Sequence, residues 1–187
     1  LDLFYTHLAA TWISQKEAAQ LIGPITMEQV ADGWCRLRIP VHSFQLWGFW
    51  VEKTDSGLLL NVRRPPALSP DRQKPLEGLT IALEAGHGGS NNGAVGLMGV
   101  KEKDVNAMAV RYLKSLLEEN GAKVVEMRPG DSEPTFKERY DNALMGNAQI
   151  LISIHANAAG TSNGFLRVSG TSTYYKHVNT EKLAAMI

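Results

Sequence analysis

At 187 residues the chain has room for one ordinary domain and a smaller one, since domains commonly run about 100 to 200 residues. Nineteen basic and nineteen acidic residues cancel, which removes the clustered positive field that a nucleic-acid surface needs, and no apolar run approaches the roughly 20 residues of a membrane-spanning helix. The lone cysteine, Cys35, excludes an internal disulfide and a cysteine-rich metal site and reads as a packed side chain.

The chain opens at Leu1 without the basic stretch, apolar run and small-residue site of a secretory leader. Gln15 to Leu21 reads as a short helix. Trp34 to Ile39, Leu46 to Lys53 and Leu58 to Val62 are rich in β-branched and aromatic residues and read as strands, with Asp55-Ser56-Gly57 as a turn between the last two. Trp34, Trp47 and Trp50 fall within them, where they either fill a core or form a carbohydrate-stacking platform. Residues 1–64 are thus expected to form a small β-rich accessory domain. Pro65, Pro66, Pro70 and Pro75, mixed with polar residues, mark 65–77 as a linker.

From residue 78 the pattern changes to strands alternating with helices. Leu79 to Glu84, Lys123 to Met127 and Gln149 to Ile154 read as buried strands. A helix is expected from Lys101 to Asn120, burying Val105, Ala109, Tyr112 and Leu116 and stopping at Gly121. A second starts at Thr135, whose spacing to Glu138 fits a capping box, and is expected to bury Phe136, Tyr140, Ala143 and Leu144. Tyr174 and Tyr175 read as the end of a further strand, and a third helix starts near Thr180. Strands and helices in alternation imply an α/β fold, a mostly parallel sheet flanked by helices, over 78–187.

Open sheets of this kind carry their sites at the carboxyl ends of the strands. His87 stands directly after the first strand in Gly86-His87-Gly88-Gly89, His155 directly after the third, and Glu102 at the helix start that follows the glycine-rich loop. Two histidines and a glutamate converging from separate loops make a three-donor set that suits zinc and leaves a fourth position for water. Taken singly, a strand-end histidine is more often structural and a helix-start glutamate more often a dipole or capping residue. The loop is not a nucleotide cradle: the third glycine of the dinucleotide fingerprint is replaced by Asn91, and no Lys-Ser or Lys-Thr ending follows.

The strings LTIALEAGHGGSNNGAVG, VKEKDVN, VVEMRPGD, FKERYDNA and AQILISIHANA, in this order and spacing, resemble the zinc-dependent N-acetylmuramoyl-L-alanine amidases of the type 3 cell-wall amidase family. The resemblance implies a zinc-aminohydrolase-like fold with zinc on His87, Glu102 and His155. It implies peptidoglycan as substrate and hydrolysis of the amide between N-acetylmuramic acid and L-alanine, outside the cytoplasmic membrane, for cell-wall remodelling, cell separation or lysis. It also implies a glutamate general base on a late strand beyond Ile187. No catalytic residue is therefore assigned within the chain, whose amidase domain is expected to be incomplete, with a C-terminal fragment of the same chain as its partner. The competing readings are a non-catalytic cell-wall-binding module and a related zinc carboxypeptidase. Arg128, Arg139, Asn142 and Asn157 match positions common in the family. Glu84 departs from it, standing where aspartate is usual, and either supports the metal ligands or faces away from them; His177 reads as a surface residue rather than a fourth ligand.

Overall fold

Residues 1–10, 12–158 and 170–187 are described by the computed structural model, and they divide into two units, Leu1–Pro65 with Tyr174–Ile187 and Pro66–Thr173. In the first unit β1 (Asp2–Phe4), β2 (Thr26–Ala31) and β3 (Trp34–Arg38) form an antiparallel sheet in the order β1-β3-β2, and β4 (Phe49–Thr54) pairs with β5 (Gly57–Val62) as a separate hairpin. The hairpin turns at Asp55-Ser56, with Gly57 taking the positive φ of 145° that a side chain would resist. Cys35 is fully buried, as expected.

Trp34 stacks on Phe4 at a centroid distance of 5.7 Å, with the Arg36 guanidinium over its ring. Trp50 lies half exposed on the β4–β5 hairpin, where its indole N–H donates to the Glu52 carboxylate. The helix expected over Gln15 to Leu21 is absent; the segment turns instead, and the Gln15 amide donates to the Ile22 carbonyl at 2.9 Å. A run this short cannot repay helix nucleation without a packed face. The third helix is present as α3 (Glu181–Met186), led in by a 3-10 turn at Val178–Thr180. The strand expected to end at Tyr174 and Tyr175 is not formed over 171–175, where no pairing strand is available among the described residues; its earlier part lies outside those residues.

The second unit is built on β6 (Thr80–Ala85), which lies between β7 (Lys123–Glu126) and β8 (Ile150–Ile154) in a parallel sheet of order β7-β6-β8. Parallel neighbours need crossovers, supplied here by α1 (Glu102–Glu119) between β6 and β7 and α2 (Phe136–Met145) between β7 and β8. The fold is therefore α/β, a parallel sheet flanked by helices, joined to antiparallel strands at the N-terminal end of the chain. β6 is buried on both faces. Ile81, Leu83 and Ala85 pack with Val110, Ala107, Leu113 and Leu117 of α1, whereas Ala82 packs with Ala143 of α2 and with Met127. Leu76, from the proline-rich stretch, joins the first of these clusters.

Neither helix buries all of the face expected. On α1 the inner residues are Glu102, Lys103, Asn106 and Val110, one position round from the expected set, and Tyr112 and Leu116 face solvent. On α2 Ala143 is buried as expected, but its buried companion is Arg139, and Phe136, Tyr140 and Leu144 are exposed. Hydrophobic periodicity turns polar residues outward by default. Here Lys103, Asn106 and Arg139 are held inward by polar groups of the loop after β6. The expected capping box is present: Thr135 accepts from the Glu138 amide, and the Glu138 carboxylate accepts from the Thr135 amide.

The burial of β6 sets the first expectation. Leu83 is fully enclosed, while Leu151 on β8 is 43% exposed. Leu83→Ala should cost about 2–5 kcal/mol and Leu151→Ala distinctly less, as read from urea unfolding midpoints. Equal costs would mean that β6 is not the centre of the core.

Candidate metal centre

The chain leaves β6 through Gly86 and enters the site at once. A Cβ on Gly86 would overlap the His155 imidazole, and one on Gly93 would crowd His87 and Glu102. These two glycines give the donors clearance to converge. His87 has a φ of 65°, a left-handed backbone uncommon for residues other than glycine, though histidine, asparagine and aspartate take it more often than most. Its Nδ1 lies 3.1 Å from Asn91 Oδ1, and the same oxygen accepts from the Gly93 amide at 3.0 Å. A ring proton on Nδ1, donated to this oxygen, is the tautomer that leaves the Nε2 lone pair for a metal.

Glu102 is where expected, at the first position of α1, yet its carboxylate does not cap its own helix. Oε2 accepts from the Ala94 amide at 2.8 Å and lies 3.1 Å from His87 Nε2. Oε1 lies 3.1 Å from His155 Nδ1 and accepts from the Ala156 amide at 3.1 Å. The side chain is only 6% exposed. Burial pushes against its ionisation, but the Ala94 amide, His155, His87 and Asn106 outweigh burial and hold the carboxyl below its ordinary value. The site therefore holds a carboxylate anion.

His155 follows β8, whose register with β6 sets Ala85 opposite Ile154, so the two histidines emerge from adjacent strand ends. Their rings meet edge to face at 4.8 Å. Among the described residues, His87, Glu102 and His155 form the group of donors able to hold a metal ion, one donor atom from each lying within 4.8 Å of the others. Imidazole nitrogen with carboxylate oxygen suits zinc and related divalent metals better than calcium or magnesium, which favour all-oxygen cages.

Sequence reasoning missed the layer behind these three. The Lys103 ammonium donates to Gly89 O and to Asp131 Oδ2, each at 2.7 Å. Asn106 donates to Gly86 O at 3.2 Å, with Arg128 reaching the same carbonyl at 3.4 Å and Lys103 O at 3.3 Å. The Glu133 carboxylate accepts from the Ser90 amide and hydroxyl. The signal was available in the polar spacing of Glu102, Lys103 and Asn106, three and four residues apart at a helix start, which puts them on one face. Glu84 does not face away: it pairs with Arg139 at 2.8 Å. Asn142 donates to Met127 O at 3.4 Å, and Asn157, Tyr174, Tyr175 and His177 are exposed.

The family described as N-acetylmuramoyl-L-alanine amidase matches residues 81–187, more than half of the chain. The chain belongs to this family. It is 38% identical over 118 residues to the uncharacterized protein YqiI of Bacillus subtilis, a match covering 61% of this chain and 54% of the relative. It is 34% identical over 119 residues to the N-acetylmuramoyl-L-alanine amidase LytC of the same organism, covering 62% of this chain and 23% of LytC. The chain thus spans about half the length of the first relative and less than a quarter of the second. Among solved structures, the catalytic domain of the amidase CwlV from Bacillus (Paenibacillus) polymyxa var. colistinus superimposes with a TM-score of 0.52 at 30% identity, covering 57% of this chain and 59% of that one. The family match runs through residue 187, whereas Tyr174–Ile187 associates with the N-terminal unit. No helix among the described residues is long and apolar enough to cross a membrane.

Gly86→Ala tests the clearance argument. The added methyl should drive the His155 ring off Glu102 and lower affinity for zinc about tenfold or more in calorimetric titration, while the protein stays folded. Wild-type affinity in a folded Gly86→Ala protein would show that His155 does not sit against Gly86.

Proposed function

We propose that this chain holds one zinc ion on His87, Glu102 and His155 and belongs to an enzyme that hydrolyses the amide between N-acetylmuramic acid and L-alanine in peptidoglycan. The observation that carries the reading is the buried Glu102 carboxylate with an imidazole nitrogen 3.1 Å from each of its oxygens, at the strand ends of a chain in the amidase family. Three donors leave a fourth position open, the arrangement of catalytic rather than structural zinc. Bound there, zinc would supply Lewis acidity toward the amide carbonyl and bring the pKa of water from about 15.7 to about 7.

The chain's own residues do the rest. Asn91 fixes the His87 tautomer so that Nε2 presents a lone pair. The amides of Ala94 and Ala156 keep Glu102 ionised and fixed in orientation, so the site offers one negative charge to a dication. No residue of the chain is assigned as the general base. Residues 78–187 are proposed as the amidase portion, 65–77 as the connecting segment and 1–64 as an accessory domain. The site of action is proposed to be the cell wall outside the cytoplasmic membrane, where peptidoglycan lies, in remodelling, cell separation or lysis.

Elemental analysis of the purified protein should find about one zinc per chain, and His87→Ala or His155→Ala should remove it, because two donors are too few for tight coordination. The protein that contains this chain should release stem peptides with a new N-terminal alanine from purified peptidoglycan. Full zinc content in both variants would defeat the ligand assignment. New reducing ends, or new N-termini at other residues, would defeat the amide assignment.

A further inference from the structure

Glu84 and Arg139 form a buried ion pair behind the candidate metal centre, their side chains 13% and 8% exposed. The strand and the helix both bring them together. Alternation along β6 sends Glu84 to the α2 face with Ala82, and Ala82 packs on Ala143, one helical turn beyond Arg139. The guanidinium then uses every nitrogen: Nη1 donates to Glu84 Oε1 at 2.8 Å and reaches Ala85 O at 3.4 Å, Nη2 donates to His87 O at 3.0 Å, and Nε donates to Pro134 O at 3.0 Å.

The His87 carbonyl is the group that matters most in this set. His87 sits in a left-handed backbone at φ 65°, and such a conformation persists only where its surroundings hold it. The carbonyls of Gly86 and Gly89 on either side are held by Asn106, Arg128 and Lys103. That of His87 is held by Arg139. We infer that Arg139 is a positioning residue, its guanidinium oriented by Glu84 so that it fixes the left-handed turn at His87 and aims the imidazole at Glu102. Lysine could not replace Arg139, because a single ammonium on a flexible stem cannot serve the Glu84 carboxylate and the His87 and Pro134 carbonyls in one plane.

This inference rests on the zinc reading above, and the test separates the two. The 187-residue chain is stripped of metal and titrated with Zn²⁺ against a chromophoric chelator, and with Co²⁺ while its visible absorption is recorded. Arg139→Lys should weaken zinc binding about 10- to 100-fold, the usual effect of losing a group that orients a ligand, and should alter the Co²⁺ spectrum. Glu84→Gln should shift affinity in the same direction by less, and it decides the matter if Arg139→Lys does not fold. Ala143→Gly loosens the same helix without removing a donor and should bind zinc as wild type does. Wild-type affinity in folded Arg139→Lys, or an equal loss in Ala143→Gly, would overturn the positioning role while leaving the zinc site standing. A wild-type chain that binds neither metal would overturn the zinc reading, and this inference with it.

Discussion

The Glu102 side chain carries a charge into a nearly solvent-free position, where an unpaired anion would be costly. Four groups surround it: the amides of Ala94 and Ala156 donate to its two oxygens, and the imidazoles of His87 and His155 each set a ring nitrogen 3.1 Å from one of them. All four come from two segments, the loop after β6 and the end of β8. The carboxylate therefore binds the start of α1 to two strand ends at once. Much else follows from this constraint. The glycines at 86 and 93 clear space around it, and the inward face of α1 begins with polar residues instead of apolar ones.

The second layer shows how the constraint spreads. Lys103, Asn106, Arg128 and Arg139 are all buried, an unusual concentration of polar groups beside a sheet core. Most of their hydrogen bonds run to main-chain carbonyls of Ala85 to Gly89 and to residues 131–134, so the loop is held by donors rather than by packed apolar side chains. Arg128 is only partly satisfied, as is Asn106, whose Oδ1 has no hydrogen-bond partner among the described residues. Burial lowers the Arg128 pKa, and its Nε finds no partner among the described residues. Such a network is stiff when complete and expensive when one member is lost.

The parallel strands were legible in the sequence because β6 is a mainly apolar run with Ile81, Ala82 and Leu83 at its centre, and the capping box at Thr135 was legible because it is a local spacing. His87, Glu102 and His155 stood out for a topological reason: strand ends gather ligands, and each lies at an element boundary. The helix faces were not legible. The spacing of Val105, Ala109, Tyr112 and Leu116 is as helical as that of the true inner face, and only tertiary partners for Lys103 and Asn106 decide between them. Phe136, Tyr140 and Leu144 were misplaced for the same reason, since Arg139 takes the inner position by pairing with a glutamate 55 residues earlier. The run from Gln15 to Leu21 has helical composition but no face to bury. No propensity argument foresaw that the Gln15 side chain would turn back on the Ile22 carbonyl.

The central claim is that one ion is held jointly by two histidines and a glutamate. X-ray absorption at the zinc K-edge of the loaded chain reads that coordination directly. The account predicts a shell of nitrogen and oxygen only, at about 2.0–2.2 Å, with outer-shell scattering from two imidazoles that falls to one imidazole in any zinc retained by His155→Ala. A sulfur scatterer at about 2.3 Å, or an unchanged two-imidazole signal in His155→Ala, would contradict it.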